Sequence, residues 1–311
     1  MWNDLAPLLK HLPPKTSAAL SQAVTRCSEA LEMGPDCVQR WIGFTIVADA
    51  LASQSLQGSP AFEFKGGAAI ELRMRQLRRA TGETSPPASD TPVWVTPRTT
   101  KDLDATYRGT LNDLEQAIRD ALVAPRHQFA FRVESETPHA PFMRRFRIRV
   151  GYCEFRYNAV VEKPFTNVQL DVSIYEGSHL PPDKVPAFSL RPFGIDGPEH
   201  LPCIPLIKQI AQKLHAVTEP PIPTRANDRF RDLLDLVMLS ALAPPSQQLK
   251  TVCEETFRLR QRHRWPPEVV AHPHWIEPME QRAKEMGLDQ RSANDIVAHV
   301  EAYIRAIESQ A

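Results

Sequence analysis

Two short motifs near the middle of the chain constrain its fold more than any other feature. The first, residues 62–72, reads FEFKGGAAIEL: a short strand-like run, a pair of glycines and the start of a helix. Free backbone N–H groups in the first turn of a helix can bind phosphate, so Lys65, Gly66 and Gly67 are candidate nucleotide-binding residues. A glycine pair is more often a plain turn, and only its place between a strand and a helix favours a phosphate site.

The second motif, residues 98–104, reads RTTKDLD and places two carboxylates two residues apart. Asp102 and Asp104 would lie on the same face of a strand, where they could share a divalent cation. Aspartate is disfavoured in strands, so two on one face suggest a functional reason. A strand end with solvated carboxylates is the alternative. Asp171 alternates with apolar residues in residues 168–175 and could supply a third metal ligand, unless it lies on the solvent face of a half-exposed strand. Phosphate and metal sites together are what nucleotidyl transfer requires.

Charged residues also border two later helical stripes. Lys213 lies beside the apolar stripe of residues 204–217, where a lysine ordinarily extends its ammonium group into solvent. Asp232 and Asp235 are three residues apart on the next predicted helix. For these two aspartates the pattern leaves a structural ion pair and a catalytic role equally open.

Composition limits the partners of the chain. The 311 residues contain 37 basic and 37 acidic side chains, so no net charge attracts nucleic acid as a whole. Two local stretches, Arg73–Arg79 and Arg258–Trp265, could bind RNA, with a solvated helix face as the alternative for each. Trp265 favours a stacking role in the second stretch.

The cysteines and the N-terminus indicate a cytoplasmic protein. The five cysteines are far apart, lack zinc-binding spacing and are predicted to be reduced and mostly buried. The first residues lack the basic start and apolar core of a signal peptide, and no apolar run is long enough to span a bilayer. We therefore expect no membrane contact.

The periodicity predicts an α+β fold with a small mixed sheet flanked by N-terminal helices and a C-terminal helical region. We expect an N-terminal helical region over 1–58, a core over 61–195 and a helical region over 196–311. The stretch 81–97, rich in Ser, Pro and Thr, is predicted to be an exposed loop, and Ser292 with Asp295 a capping box. The predicted strands are 62–64, 103–107, 128–134, 146–155 and 168–175, and the predicted helices are 17–31, 38–56, 68–80, 111–122, 204–217 and 230–241.

Together these motifs resemble the AbiEii-type nucleotidyltransferase toxins of the DNA polymerase beta-like superfamily. The family has a lysine and paired glycines opening a helix, then R-x-[ST]-x-D-[LI]-D, a strand aspartate, a K-[LI]-x-A helix and an R-x-x-D-x-x-D helix. The order of five separate motifs over roughly residues 61–240 makes the resemblance specific. The residues that match are Lys65, Gly66, Gly67, Arg98, Thr100, Asp102, Leu103, Asp104, Asp171, Lys213, Leu214, Ala216, Arg229, Asp232 and Asp235.

The resemblance implies a Mg²⁺-dependent enzyme that transfers a nucleotide from an NTP. Asp102 and Asp104 would be catalytic and hold the metal. Asp171 would also be catalytic, either as a ligand of a second metal ion or as the base for the attacking hydroxyl. Lys213 would be catalytic and neutralise phosphate charge. The further residues implied in nucleotide binding are Lys65, Gly66, Gly67, Arg98, Thr100 and Asp232. The acceptor would be an RNA end, such as a tRNA 3′ terminus, or a protein hydroxyl, and the chain would be the toxin of a toxin–antitoxin pair with a cognate antitoxin.

Two features depart from the family pattern. Gly67 and Asp102 are separated by 34 residues, more than is usual, and Gly67 stands where wider relatives have a serine. A long loop costs little free energy, so the insertion is compatible with the fold. Both departures favour the rival interpretation, a non-catalytic relative that binds nucleotide or a partner, whereas the three aspartates and the lysine favour an enzyme. A structural protein with coincidental motifs is the third interpretation.

Overall fold

The computed structural model describes residues 13–31, 33–81, 100–140, 142–221, 226–288 and 291–310. The described chain divides into two compact units. The first contains α1 to α4, with α3 as far as Leu77, and nine strands; the second contains α5 to α9 with Gly177–Leu180. Of the predicted loop 81–97, only Thr81 lies within the described residues.

The elements of the first unit follow one another along the chain. The helices are α1 (Ser17–Ala30), α2 (Pro35–Ala52), α3 (Gly66–Thr81) and α4 (Leu114–Ala121). The strands are β1 (Ser55–Leu56), β2 (Ser59–Pro60), β3 (Phe62–Lys65), β4 (Leu103–Tyr107), β5 (Phe129–Ala140), β6 (Met143–Arg156), β7 (Ala159–Ile174), β8 (Asp183–Pro186) and β9 (His200–Cys203), with a 3₁₀ turn at Arg191–Phe193.

A seven-stranded mixed sheet in the order β5-β6-β7-β4-β3-β9-β8 organises this unit. The pairs β4–β7 and β3–β9 are parallel and the remaining pairs are antiparallel. Apolar and polar residues alternate along the central parts of β6 and β7, so the apolar side chains share one face of the sheet. Phe146, Ile148, Val168, Leu170 and Val172 are all fully buried, and they belong to the same core as residues of α1 and α2. The predicted α+β class with a mixed sheet is confirmed.

Two details of the prediction are corrected. The second helix was expected over 38–56, but α2 begins at Pro35 and ends at Ala52. Gln57 and Gly58 have positive φ, at 51° and 78°, and form the turn of the short hairpin β1–β2. Strands β8 and β9 were not predicted, because Pro186 and Pro202 are typical of connections, whereas β8 is an edge strand that tolerates proline.

The second unit is helical, as the periodicity predicts beyond residue 204. Its helices are α5 (Leu206–Thr218), α6 (Phe230–Ser240), α7 (Gln247–Arg260), α8 (Ile276–Glu285) and α9 (Ala293–Glu308). Buried Leu214, Leu236 and Val300 show that α5, α6 and α9 turn apolar faces inward. The predicted capping box at Ser292 and Asp295 is confirmed at the start of α9.

Three other expectations bear on the chemistry of the chain. All five cysteines are free thiols, and Cys27, Cys203 and Cys253 are buried, as predicted. Within the described residues, no helix combines the length and apolar character needed to cross a bilayer. The three predicted regions, 1–58, 61–195 and 196–311, stay a prediction.

Candidate active site

Four charged residues form one row across four neighbouring strands of the sheet. Lys65 on β3 is in register with Asp104 on β4, and Asp104 is in register with Asp171 on β7. Asp171 is in turn paired with Arg145 on β6. Residues in register share a face of the sheet, so two carboxylates lie side by side between two cations. This charged row is the centre of the candidate site.

The charged row lies on the polar face of the sheet. Its neighbours along each strand, Phe64, Ala105, Phe146 and Val172, point to the other face and are at most 1% exposed. Lys65, Asp104 and Arg145 are half-buried, whereas Asp171 is 6% exposed. The alternation of apolar and polar residues in β7 thus predicted the direction of Asp171 correctly.

Gly66 explains how Asp104 is held. The residue has a φ of 63°, in the left-handed region, and is the first residue of α3. A Cβ atom at this position would lie 2.0 Å from Oδ2 of Asp104. Glycine is therefore strongly favoured here, because any side chain would displace the carboxylate. The glycine turn and the aspartate motif, which are far apart in sequence, meet at this point.

Lys65 makes a contact that the sequence did not predict. Its Nζ donates a hydrogen bond of 2.5 Å to Oγ of Ser173. Ser173 lies two residues beyond Asp171 on β7 and is half-buried, so the lysine is held over the polar face of the sheet. The alternating pattern of β7 identifies Ser173 as facing this side, but nothing local indicates its partner.

Arg145 was also missed by the sequence analysis. Its guanidinium donates two hydrogen bonds to Asp171, with Nε 2.8 Å from Oδ1 and Nη2 2.7 Å from Oδ2. The hydrogen bonds to Asp171 raise the pKa of Arg145, and the charges of Asp102 and Asp104 raise it further. Arg145 therefore acts as a counter-charge for all three aspartates. The sequence does contain a sign of this role, because an arginine stands at every second position of residues 145–149.

Asp102 lies one residue before β4 rather than inside the strand. Burial raises the pKa of its carboxyl group, and the nearby charge of Asp171 raises it further, while Arg145 lowers it. The hydroxyl of Thr100 donates a hydrogen bond of 3.0 Å to the backbone carbonyl of Asp102. This contact gives Thr100 a structural part in the turn that precedes β4. Arg98 lies outside the described residues.

The carboxylates of Asp102 and Asp104 are the candidate ligands of a divalent metal ion. In the described ranges, no three His, Cys, Asp or Glu side chains are grouped closely enough to hold an ion by themselves. Magnesium is commonly bound by one or two carboxylates together with substrate phosphates, and not by an all-protein cage. Burial raises the pKa of Asp102 and the charge of Asp171 raises it further, so a bound cation would favour the charged form of this carboxylate. Asp102 and Asp104 therefore fit an ion that binds together with a nucleotide.

The second unit contains a separate charged cluster around Lys213. The Nζ atom lies 2.6 Å from Oδ1 of Asp232 and 2.6 Å from Oδ2 of Asp235. Arg229 contacts the other oxygen of Asp232 at 2.7 Å. The side chain of Lys213 is only 12% exposed, so it does not extend into solvent. The K-x-x-A and R-x-x-D-x-x-D motifs thus meet in one cluster, in which the lysine and both aspartates are largely buried and Arg229 is exposed.

Both predicted basic stretches contain residues that make structural contacts. Arg73 is buried and lies 2.8 Å from Asp183, and Arg75 bonds to Glu71 at 3.0 Å. In the second stretch, Arg262 bonds to Glu219 at 2.7 Å, and the indole N–H of Trp265 donates to Glu308 at 2.6 Å. These contacts favour structural roles for the named residues.

Comparison with known families agrees with the motif analysis. The family model of AbiEii, the nucleotidyl transferase toxins of type IV toxin–antitoxin systems, matches residues 93–306. The match covers about two thirds of the chain, which therefore belongs to this family. The predicted family and the predicted enzyme class, nucleotidyltransferase, are confirmed. The matched range contains the three aspartates and Lys213, whereas the glycine turn precedes it.

Two solved structures align with most of this chain. MenT4, a nucleotidyltransferase toxin from Mycobacterium tuberculosis H37Rv, is 15% identical, with 94% of this chain and 99% of that chain aligned and a TM-score of 0.47. JHP933 from Helicobacter pylori is 13% identical, with 89% and 98% aligned and a TM-score of 0.39. The search of curated proteins found no match.

Proposed function

We propose that this chain transfers a nucleoside monophosphate from an NTP to a hydroxyl group of an RNA acceptor, with Mg²⁺ held by Asp102 and Asp104. The observation that carries the proposal is the charged row, in which Asp104 and Asp171 lie side by side and Lys65 flanks them. Two adjacent carboxylates repel each other, an arrangement that a bound cation stabilises. The start of α3 at Gly66 lies against Asp104, so the metal and phosphate sites would be neighbours.

In the proposed reaction, the acceptor oxygen forms a bond to the α-phosphorus of the NTP. The bond from that phosphorus to the β-phosphate oxygen breaks, and pyrophosphate leaves with the electron pair. The proton of the acceptor hydroxyl passes to a carboxylate, for which Asp171 is the candidate. Mg²⁺ bound at this site would offset the negative charge that develops on the phosphate oxygens. Lys65 would contribute a further positive charge.

Family membership supports an antitoxin partner, and a tRNA 3′ end is the RNA acceptor that we favour over a protein hydroxyl. Roles for Lys213, Asp232, Arg98 and Thr100 in nucleotide binding stay predictions from the motifs, as does a cytoplasmic location. Gly67, which is buried beside Gly66, belongs to the proposed phosphate turn.

The proposal is tested by incubating the protein with each of the four NTPs labelled at the α-phosphate, Mg²⁺ and total RNA. We expect label in the RNA with at least one NTP, and none when EDTA replaces Mg²⁺. Label in protein instead of RNA would contradict the proposed acceptor. No transfer with any NTP, combined with measurable NTP binding, would favour the non-catalytic alternative and overturn the proposed reaction.

A further inference from the structure

Arginines at alternate positions of β6 continue the polar face of the sheet away from the aspartates. Arg145, Arg147 and Arg149 alternate with buried Phe146 and Ile148, so all three lie on the face that carries Asp171. Over four residues a strand advances roughly 13 Å. A line of positive charge of about this length therefore begins at the candidate active site.

Strand β5 widens this line. Arg132 is directly opposite Arg149 in the antiparallel pair β5–β6. Like charges directly opposite each other destabilise a sheet, so the fold itself gains nothing from this pair. We name Arg132, Arg145, Arg147 and Arg149 together the arginine strip.

Part of the arginine strip is not committed to other contacts. Arg145 is bonded to Asp171, and Arg149 contacts Glu134 at 2.9 Å. Arg132 and Arg147 are exposed, and within the described part of the chain neither has a hydrogen-bond or ion-pair partner. These two guanidinium groups are available to a ligand.

The neighbours of the arginine strip are hydrogen-bonding groups. Arg147 is flanked in register by Ser135 on β5 and by Gln169 on β7, and Arg149 is flanked by Asn167. Arginine, serine, asparagine and glutamine are the side chains that contact nucleic-acid phosphates and sugars. Protein interfaces depend on buried apolar anchors, and the side chains in register with Arg147 and Arg149 on this face are all polar. The composition of the surface thus fits a phosphodiester backbone better than a protein.

We infer that the arginine strip binds the phosphate backbone of the acceptor strand and leads its end to the aspartates. The inference rests on the proposed function, since it assigns a surface to the acceptor of that reaction. It also explains how a chain with no net charge can bind a polyanion: the charge is local and lies on one face of β5 and β6. Glu162, which lies across Gly151 on β6, bounds the strip at its far end.

The test compares two charge-reversed double variants. Arg132→Glu with Arg147→Glu changes the strip, and Arg119→Glu with Arg191→Glu makes the same change in charge at two exposed arginines elsewhere in the first unit. The probe is a fluorescein-labelled single-stranded RNA with a free 3′ hydroxyl, with DNA of the same sequence and polyglutamate as competitors. Binding is followed by fluorescence anisotropy at several salt concentrations.

We expect the strip variant to bind RNA at least tenfold more weakly and to lower the salt dependence by about two released ions. The control variant should change affinity by less than about threefold, from its general charge effect. DNA should compete with RNA, since the shared ligand is phosphate, and tighter binding of RNA would indicate added contacts to 2′-hydroxyl groups. Equal losses in the two variants, no loss in the strip variant, or competition by polyglutamate as strong as by DNA would each overturn the inference.

Two controls separate this inference from the proposed function. Calorimetric titration with NTP should give the same affinity in both double variants and in the native chain, and melting temperatures should agree. Where glutamate lowers the melting temperature, Arg132→Gln with Arg147→Gln takes its place and is judged by the same loss of RNA affinity. Strip-dependent RNA binding without nucleotide transfer would overturn only the proposed function, and transfer that is indifferent to the strip variant would overturn only this inference.

Discussion

The charged row of the first unit and the Lys213 cluster of the second both contain residues of the family motifs. Each has two neighbouring aspartates, but the positive side chains that neutralise these aspartates are arranged differently. In the row, Asp104 and Asp171 lie on a sheet face and share the half-exposed Arg145 as a counter-charge. In the cluster, Lys213 is enclosed and contacts both Asp232 and Asp235. Together with Asp102, the row has three carboxylates against two cations and can accept a further cation. In the cluster, Lys213 and Arg229 already balance the two aspartates.

The largest expected effect separates chemistry from stability. Asp104→Ala should lower nucleotide transfer on the order of a thousandfold, because it removes a ligand of the proposed metal site, and stabilisation of developing charge by a metal ion is worth several kcal/mol. Its melting temperature should stay close to that of the native protein, since the substitution also relieves repulsion with Asp171. Asp120→Ala, at an exposed position of α4, is the control for the transfer assay. If Asp104→Ala transferred nucleotide at the native rate, the charged row would not be the active site.

The second prediction compares the loss of stability when each positive counter-charge, Lys213 or Arg145, is removed. Lys213→Met leaves two enclosed carboxylates without their ammonium partner, which should cost about 3–5 kcal/mol of unfolding free energy. Arg145→Met exposes Asp171 to water and should cost only about 1 kcal/mol, because the guanidinium is already one-third exposed. Urea unfolding followed by circular dichroism measures both. The control is Lys250→Met, at a lysine that contacts Glu308 at the end of α9 and Gln310. Equal losses of unfolding free energy in Lys213→Met and Arg145→Met would contradict the prediction.

A pair of glycines tests how the row is assembled. Gly66 and Gly58 both have positive φ, but a Cβ atom would meet Asp104 at Gly66 and nothing within 4 Å at Gly58. Alanine at either position should cost about 1–2 kcal/mol of stability from left-handed backbone strain. Only Gly66→Ala should also weaken binding of NTP with Mg²⁺, by at least tenfold in a calorimetric titration, because it displaces the carboxylate. Unchanged NTP affinity in Gly66→Ala would mean that nucleotide binding does not depend on the observed position of the Asp104 carboxylate.

The smallest effect concerns acid sensitivity, which we expect in the second unit. Burial lowers the pKa of His263, His272 and His299 below the ordinary value of 6.5. Below about pH 6.5, these histidines therefore bind protons more readily in the unfolded chain than in the folded one. Stability from these groups is fully present above about pH 6.5 and is lost progressively as the pH falls toward the lowered pKa values.

The measurement is urea unfolding at pH 7.5, 6.5 and 5.5. His263→Gln should reduce the loss of stability between pH 6.5 and 5.5, because one proton-binding difference between the folded and unfolded chains is removed. His200→Gln, at an exposed histidine of the first unit, should leave the loss unchanged. A steeper loss in His263→Gln than in the native chain would contradict the assignment.

Local patterns accounted for much of the fold. The alternation around Asp171 predicted both a strand and the direction of the carboxylate, and the predicted span of β4, Leu103–Tyr107, agrees with the structure. The glycine pair predicted the start of α3 to within two residues. Strands β8 and β9 were missed because four-residue segments that contain proline are too short to show a periodic pattern, although β8 is an edge strand and β9 lies inside the sheet.

By itself, then, the sequence determined the family, the α+β class and the residues around which a site is built, because those depend on near neighbours and on ordered motifs. Only the tertiary structure decided which charges meet. Lys65 and Asp104 are 39 positions apart, and their shared row follows from strand pairing. Arg145 became the partner of Asp171 through the register of β6 with β7. Register is set by how the whole sheet buries its apolar face, and no single segment encodes that outcome.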